Sequence, residues 1–159
     1  MWKELIDGLR PGCEFLPPTD SQTIRRVEKR LSIKFPKDLR SLLREANGIW
    51  GPSGTGLIWS VERIEADNKE FRTMRSFRKL YMPFDHLLFF GDDGSGDQYA
   101  FRILAGVIRD DEIYRWEHEN DSRNWSASHM RDYLARSLGH SSWYGQVVRP
   151  ADPGKEERE

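Results

Sequence analysis

The stretch "LLFFGDDGSGDQYAFRIL", Leu87 to Leu104, decides the fold. Four consecutive apolar residues suit a strand buried on both faces. The run then stops at three aspartates and three glycines, and an alternating pattern resumes with Tyr99, Phe101 and Ile103 on one side. Read as a connection, the Gly91–Asp97 segment joins two antiparallel strands. Further along, "EIYRWEH" alternates again after the link "AGVIRDD". Three strands with short links predict an antiparallel meander.

Three kinds of ligand chemistry compete with the turn reading of "GDDGSGDQ". A calcium loop places oxygens at alternate positions, then a glycine at position six and a distant glutamate. Counting from Asp93 gives Asp93, Ser95 and Asp97, but position six is Gln98; counting from Asp92 puts glycine at the third and fifth positions. A phosphate cradle lacks the Gly-Lys-Ser/Thr ending and a following helix. Paired carboxylates for acid–base work, drawn from Asp92, Asp93, Asp97, Glu117 and Glu119, need partial burial to separate their pKa values. Glycine supplies positive φ in a tight connection and aspartate bonds to nearby amides, which accounts for the composition without a ligand.

No other constellation carries chemistry. His118 sits between two glutamates, but neighbouring strand residues face opposite ways. The HExxH signature is absent, because Ser122 lies four residues beyond His118. His129 falls in the last helix, and His86 and His140 in loops. Cys13, the single cysteine, stands beside a Pro-Gly turn as a packed or loosely exposed thiol rather than a nucleophile. No catalytic residue, metal site or cofactor is therefore expected.

Upstream, the periodicity is helical. "WKELIDGL" puts Trp2, Leu5, Ile6 and Leu9 on one face, ended by Pro11-Gly12. Asp20 or Ser21 caps a second helix carrying Ile24, Val27 and Leu31. Pro36 interrupts it and opens a third, striped by Leu39, Leu42, Leu43 and Ala46 and stopped at Asn47-Gly48. "GIWGPSGTG" reads as a loop and Leu57 to Trp59 as a short strand. Another helix starts near Ser60 with Val61, Ile64 and Phe71 inward, and becomes ragged through "KEFRTMRSFRKLYMP". "SASHMRDYLARSL" forms the last helix, capped at Ser126 or Ser128 and striped by Met130, Tyr133, Leu134 and Leu138. Of the six tryptophans, Trp59 and Trp116 fall in strand patterns and belong to the core. Trp50, among flexible glycines, is either an interface anchor or an inward-folded aromatic.

Composition sets the class. A length of 159 residues suggests one domain, and 37% hydrophobic with 32% charged residues describes a globular chain with a charged surface. The net charge of −1 argues against general nucleic-acid binding. No apolar run approaches the roughly 20 residues that cross a bilayer, and "MWKELIDGLRPG" lacks a signal-peptide layout, so no membrane contact and a cytoplasmic location are expected. Charge is uneven: Thr19–Ala46 carries eight Lys/Arg against four acids, whereas Tyr81–Asp121 carries three arginines against ten acids. The class is α+β, a curved, mainly antiparallel sheet flanked by four or five helices. A single domain over residues 1–139, with its core at 19–138, precedes a 140–159 extension whose end, "ADPGKEERE", is expected to be disordered.

In order, these pieces resemble the SUKH superfamily of fungal Smi/Knr-type cell-wall synthesis regulators and bacterial immunity proteins. The resemblance runs from about Thr19 to Leu138. It is carried by the Ile33-Lys34-Phe35-Pro36 link, the Asn47-Gly48 ending and the Gly-Asp-x-Gly-x-Gly-Asp loop, with Gly91, Gly94 and Gly96 as its glycines. It implies a non-catalytic immunity protein whose partner is a cognate polymorphic toxin, a nuclease domain being one kind. Asp92, Asp93, Asp97, Glu117, Glu119 and Trp50 would be the partner-binding residues, an acidic face against a basic cleft. The alternatives are a regulatory protein-interaction module of the fungal kind and a small-ligand or metal-binding protein. The basic "NKEFRTMRSFRKLYM" segment and the tail after Gly139 depart from the family pattern.

Overall fold

A computed structural model describes residues 1–139. The 140–159 extension, including His140, lies outside the described residues. Helix α1 (Trp2–Leu9) buries Trp2, Ile6 and Leu9, as its spacing predicts. Its first backbone N–H groups have no partner within the helix. Glu45 supplies one from outside, accepting from the N–H of Trp2 at 2.9 Å and of Lys3 at 3.2 Å. Strand β1 (Glu14–Phe15) pairs antiparallel with β2 (Ile49–Trp50), a two-stranded ribbon that replaces part of the loop expected there.

Helix α2 (Ser21–Leu31) begins at Asp20, whose carboxylate accepts from Thr23 N–H at 2.7 Å, and ends at Ser32 in the left-handed region, φ 54°. Pro36 immediately precedes α3 (Lys37–Leu43), which buries Leu39, Leu42 and Leu43. The helix stops one turn before Asn47-Gly48. Asn47 instead serves the next helix: its Oδ1 accepts from Val61 N–H at 2.8 Å and its amide donates to Glu62 at 2.9 Å. Helix α4 (Val61–Thr73) is capped by Ser60 and buries Val61, Ile64 and Asn68. The raggedness beyond it is a break at Met74, after which α5 (Arg75–Leu80) forms, giving six helices among the described residues where four or five were expected.

The main sheet has four antiparallel strands in sequence order: β3 (Leu87–Asp92), β4 (Gln98–Arg102), β5 (Ile113–Glu117) and β6 (Ser122–Ala127). The fourth strand takes up residues expected to cap the last helix. That helix, α6 (Met130–Ser137), is capped by His129, whose Nδ1 accepts from Asp132 N–H, while the Asp132 carboxylate accepts from Ser128 N–H. One sheet face stacks Phe90 on Phe101 at 4.8 Å and sets both Phe90 and Tyr99 against Tyr133 of α6. The other face packs Phe89 and Trp116 against Phe71 and Phe84. Trp59 and Trp116 are both buried, in keeping with their strand patterns.

Among the described residues no strand lies on the outer edge of β3. Leu57–Trp59, expected as one, pairs only through an Ile49–Ile58 bridge, but it runs beside β3: Trp59 N–H donates to Phe90 at 2.7 Å and Asp92 N–H to Gly56 at 2.8 Å. Asn68 covers Phe89, and Arg72 donates to Leu87 at 3.2 Å. An edge satisfied in this way offers no free ladder to another chain.

Candidate partner-binding site

The β3–β4 connection forms around backbone positions that only certain residues tolerate. Gly94 and Gly96 adopt φ of +82° and +107°. Gly91 has an ordinary φ but no room: a Cβ there would lie 2.5 Å from the Leu57 carbonyl and 2.8 Å from the Tyr133 hydroxyl. That hydroxyl donates to the Leu57 carbonyl at 2.7 Å, so the glycine lets three elements meet. Gly56 is similarly confined, since a Cβ would collide with the Asp92 carboxylate.

Each aspartate of the loop is engaged. Asp92 accepts from the Trp59 indole N–H at 2.7 Å and from Gly94 N–H at 2.9 Å, and lies 3.4 Å from Arg63. Arg63 also stacks 4.2 Å above the Trp59 ring. Asp93 accepts from both the N–H and the hydroxyl of Ser95, and from Arg115 at 2.8 Å. Asp97 is buried beneath the loop. It accepts from Arg115 at 2.8 Å and from His118 N–H at 3.1 Å, and contacts His118 Nδ1 at 2.7 Å. Burial would raise its carboxyl pKa, but the Arg115 and His118 donors outweigh burial and hold it below the ordinary carboxylate range. The same contact raises the Arg115 guanidinium. Among the described residues no group of three or more His, Cys, Asp or Glu side chains is placed to hold a metal ion.

The remaining expected residues lie beside this loop. Glu117 shares a strand face with Arg115, two residues away, and accepts from Ser122 Oγ at 3.0 Å. Glu119 is exposed next to His118, on the β5–β6 turn. Trp50 is 38% exposed and borders a depression of about 50 Å³ with Trp59, Gly56 and Arg63. A chain of contacts thus runs from Trp59 and Arg63 to Asp92, and from Asp93 through Arg115 and Asp97 to His118, with Trp50 bordering the depression at the Trp59 end. Of the five carboxylates gathered here, Asp92, Asp93 and Asp97 pair with the guanidiniums of Arg63 and Arg115.

Arg115 and Arg63 were missed as organisers of the loop. An arginine between Tyr114 and Trp116, in a strand that follows an aspartate-rich turn, was the available signal. Asp121 was missed as well: it accepts from the Trp116 indole, Arg123 and Met82 N–H, tying the end of α5's connection to β5 and β6.

Two comparisons bear on this arrangement. A family model described as SUKH_6, SMI1-KNR4 cell-wall, matches residues 21–134, the span from α2 into α6. No curated protein matches the chain.

Proposed function

The chain belongs to the SMI1-KNR4 (SUKH) family, and from that membership we propose that it is a non-catalytic immunity protein that binds and neutralises a cognate toxin. The observation carrying this reading is the rim just described, an acid-rich edge whose loop backbone is locked by Arg115, Trp59 and Tyr133. Preformed surfaces lose less entropy on binding than mobile ones. In this reading Asp93, Glu117, Glu119 and Trp50 touch the partner. Asp92 and Asp97, turned inward onto Trp59 and His118, hold the loop in shape. The excess of carboxylates suits a partner with a basic cleft, as a nuclease domain has, and complementary fields speed association more than they tighten the final complex.

The test is the association rate with a cognate toxin domain, measured for Asp93→Lys, Glu117→Lys and Glu119→Lys combined. Association should slow by about tenfold or more at low salt and converge with the parent rate as salt rises. An unchanged rate in the folded triple variant removes this surface from the reading.

A further inference from the structure

A cleft of about 890 Å³ lies between the α2–α3 link and the β4–β5 connection. The link is extended because Ser32 ends α2 in the left-handed region. Alternation then buries Ile33 and Phe35 and leaves Lys34 outward. The link is also pinned, as the buried Glu28 carboxylate accepts from Phe35 N–H at 2.7 Å. The facing wall is a tight two-residue turn. Leu104 and Val107 exchange backbone bonds of 2.9 and 3.2 Å around Ala105 and Gly106, both at positive φ. Val107 on this turn is 50% exposed, and Ile108 beside it is half-buried. The floor between these rigid walls is apolar.

Its rim is cationic. Arg25, Lys29, Lys34, Lys37 and Arg109 border the cleft, and none has a side-chain partner among the described residues. An adjoining groove of about 370 Å³ shares Arg25, Glu28 and Lys37 and adds Arg40 and Arg44. The nearby acids are largely committed: Glu28 to Phe35, and Asp110 to Arg102 at 3.0 Å. Among the described residues, Asp111 alone of the rim acids makes no side-chain hydrogen bond or ion pair, and it stands exposed.

The geometry points to a second docking surface, one that takes a partner polypeptide segment carrying apolar side chains between carboxylates. The apolar side chains would cover Val107, Ile108 and the link, while the carboxylates meet the rim cations. Charge complementarity decides the occupant's sign, and the apolar floor decides its class. A single-stranded nucleic acid would need exposed aromatic rings for its bases to stack on, and among the described residues the one aromatic lining the cleft, Phe35, is 2% exposed. The cleft and the Gly91–Asp97 loop sit at opposite ends of β4, five residues long, hence roughly 15 Å apart. Both surfaces can therefore be occupied together, and this inference does not rest on the immunity reading.

Isotope-labelled chain titrated with a synthetic peptide of alternating leucine and glutamate tests the assignment. Amide shifts should concentrate at Ile33–Phe35 and Gly106–Arg109. Replacing the peptide's leucines with serine, or its glutamates with lysine, should abolish them. Lys34→Glu with Lys37→Glu should weaken binding roughly threefold or more, and Val107→Asp about tenfold. All three positions are exposed, so these variants keep the fold. Equal binding of the serine peptide, tighter binding of oligothymidylate, or no shift with the leucine–glutamate peptide would each overturn the proposal.

Discussion

The Asn68 carboxamide takes both backbone groups of Phe89, accepting its N–H at 2.8 Å and donating to its carbonyl at 2.9 Å. One side chain on α4 thus stands in for a residue of a missing neighbouring strand. Asn68 is fully buried and its amide also donates to Ile64 at 2.7 Å. Asn68→Ala should leave two buried backbone groups of Phe89 unpaired, at about 1–3 kcal/mol for each. Asn68→Asp should be no better, because a carboxylate cannot donate to the Phe89 carbonyl and would be buried as a charge. Urea unfolding should show a lower midpoint with an unchanged slope; a loss under about 1 kcal/mol for both variants would contradict the edge-capping role.

Asp97 makes the loop sensitive to acid. Its folded carboxyl is held below the ordinary value, so folding favours the ionised form. Its contribution is fully present above about pH 4, the range of an unfolded aspartate, and is lost as pH falls through the lower folded value. Asp97→Asn should therefore be less stable than the parent near neutrality, and the gap should narrow below about pH 4. A gap that stays constant into strong acid would mean that ionisation of Asp97 contributes nothing.

Apolar period made most of the elements legible in the sequence, because Ile24, Val27, Leu31, Leu39, Leu42 and Leu43 repeat at the spacing of one helix face. Strand β3 was legible from four consecutive apolar residues that pack between α4 and α6. Strand β6 was not, since "SRNWSA" is an edge strand with little to bury and its polar residues imitate a helix cap. The β1–β2 ribbon is two residues deep and has no period to detect. At the site, the loop's position was legible but its wiring was not. Counting ten acids against three arginines treats charges as independent, whereas Arg115 alone neutralises parts of two aspartates from another strand. Such pairings depend on register, here Tyr99 opposite Arg115, which a local window does not contain.

Glycine substitutions should separate close approach from mere flexibility. Gly91→Ala would press a methyl group into the Leu57 carbonyl and the Tyr133 hydroxyl, backbone and buried ring that cannot swing aside. A cost of about 1–3 kcal/mol is expected, with loss of the Tyr133–Leu57 bond visible as a shifted tyrosine spectrum. Gly8→Ala is the counterpart: the position lies in α1 with nothing within 4 Å of a new Cβ. It should gain about 0.5–1 kcal/mol from helix propensity. If both changes act in the same direction, the steric account of Gly91 is wrong.

Ala105 is the residue whose replacement should stabilise the chain through one backbone angle. It occupies the first central position of the Leu104–Val107 turn at φ 50°, followed by Gly106 at 76°. A two-residue turn with both central φ values positive matches the twist of the flanking strands and favours Asn-Gly. Alanine in the left-handed region costs about 1 kcal/mol, because its Cβ crowds the following carbonyl. Asparagine tolerates that region through local hydrogen bonding. Ala105 is exposed, so nothing needs to move to admit the larger side chain. Ala105→Asn should therefore raise stability by about 0.5–1 kcal/mol, which for a chain of this size is a melting shift of about 2 °C. Ala105→Val should act oppositely and more strongly, because a β-branched residue is a poor occupant of positive φ. Thermal unfolding of the two variants side by side checks the turn, and a stabilised valine variant would show that the turn does not hold this geometry in solution.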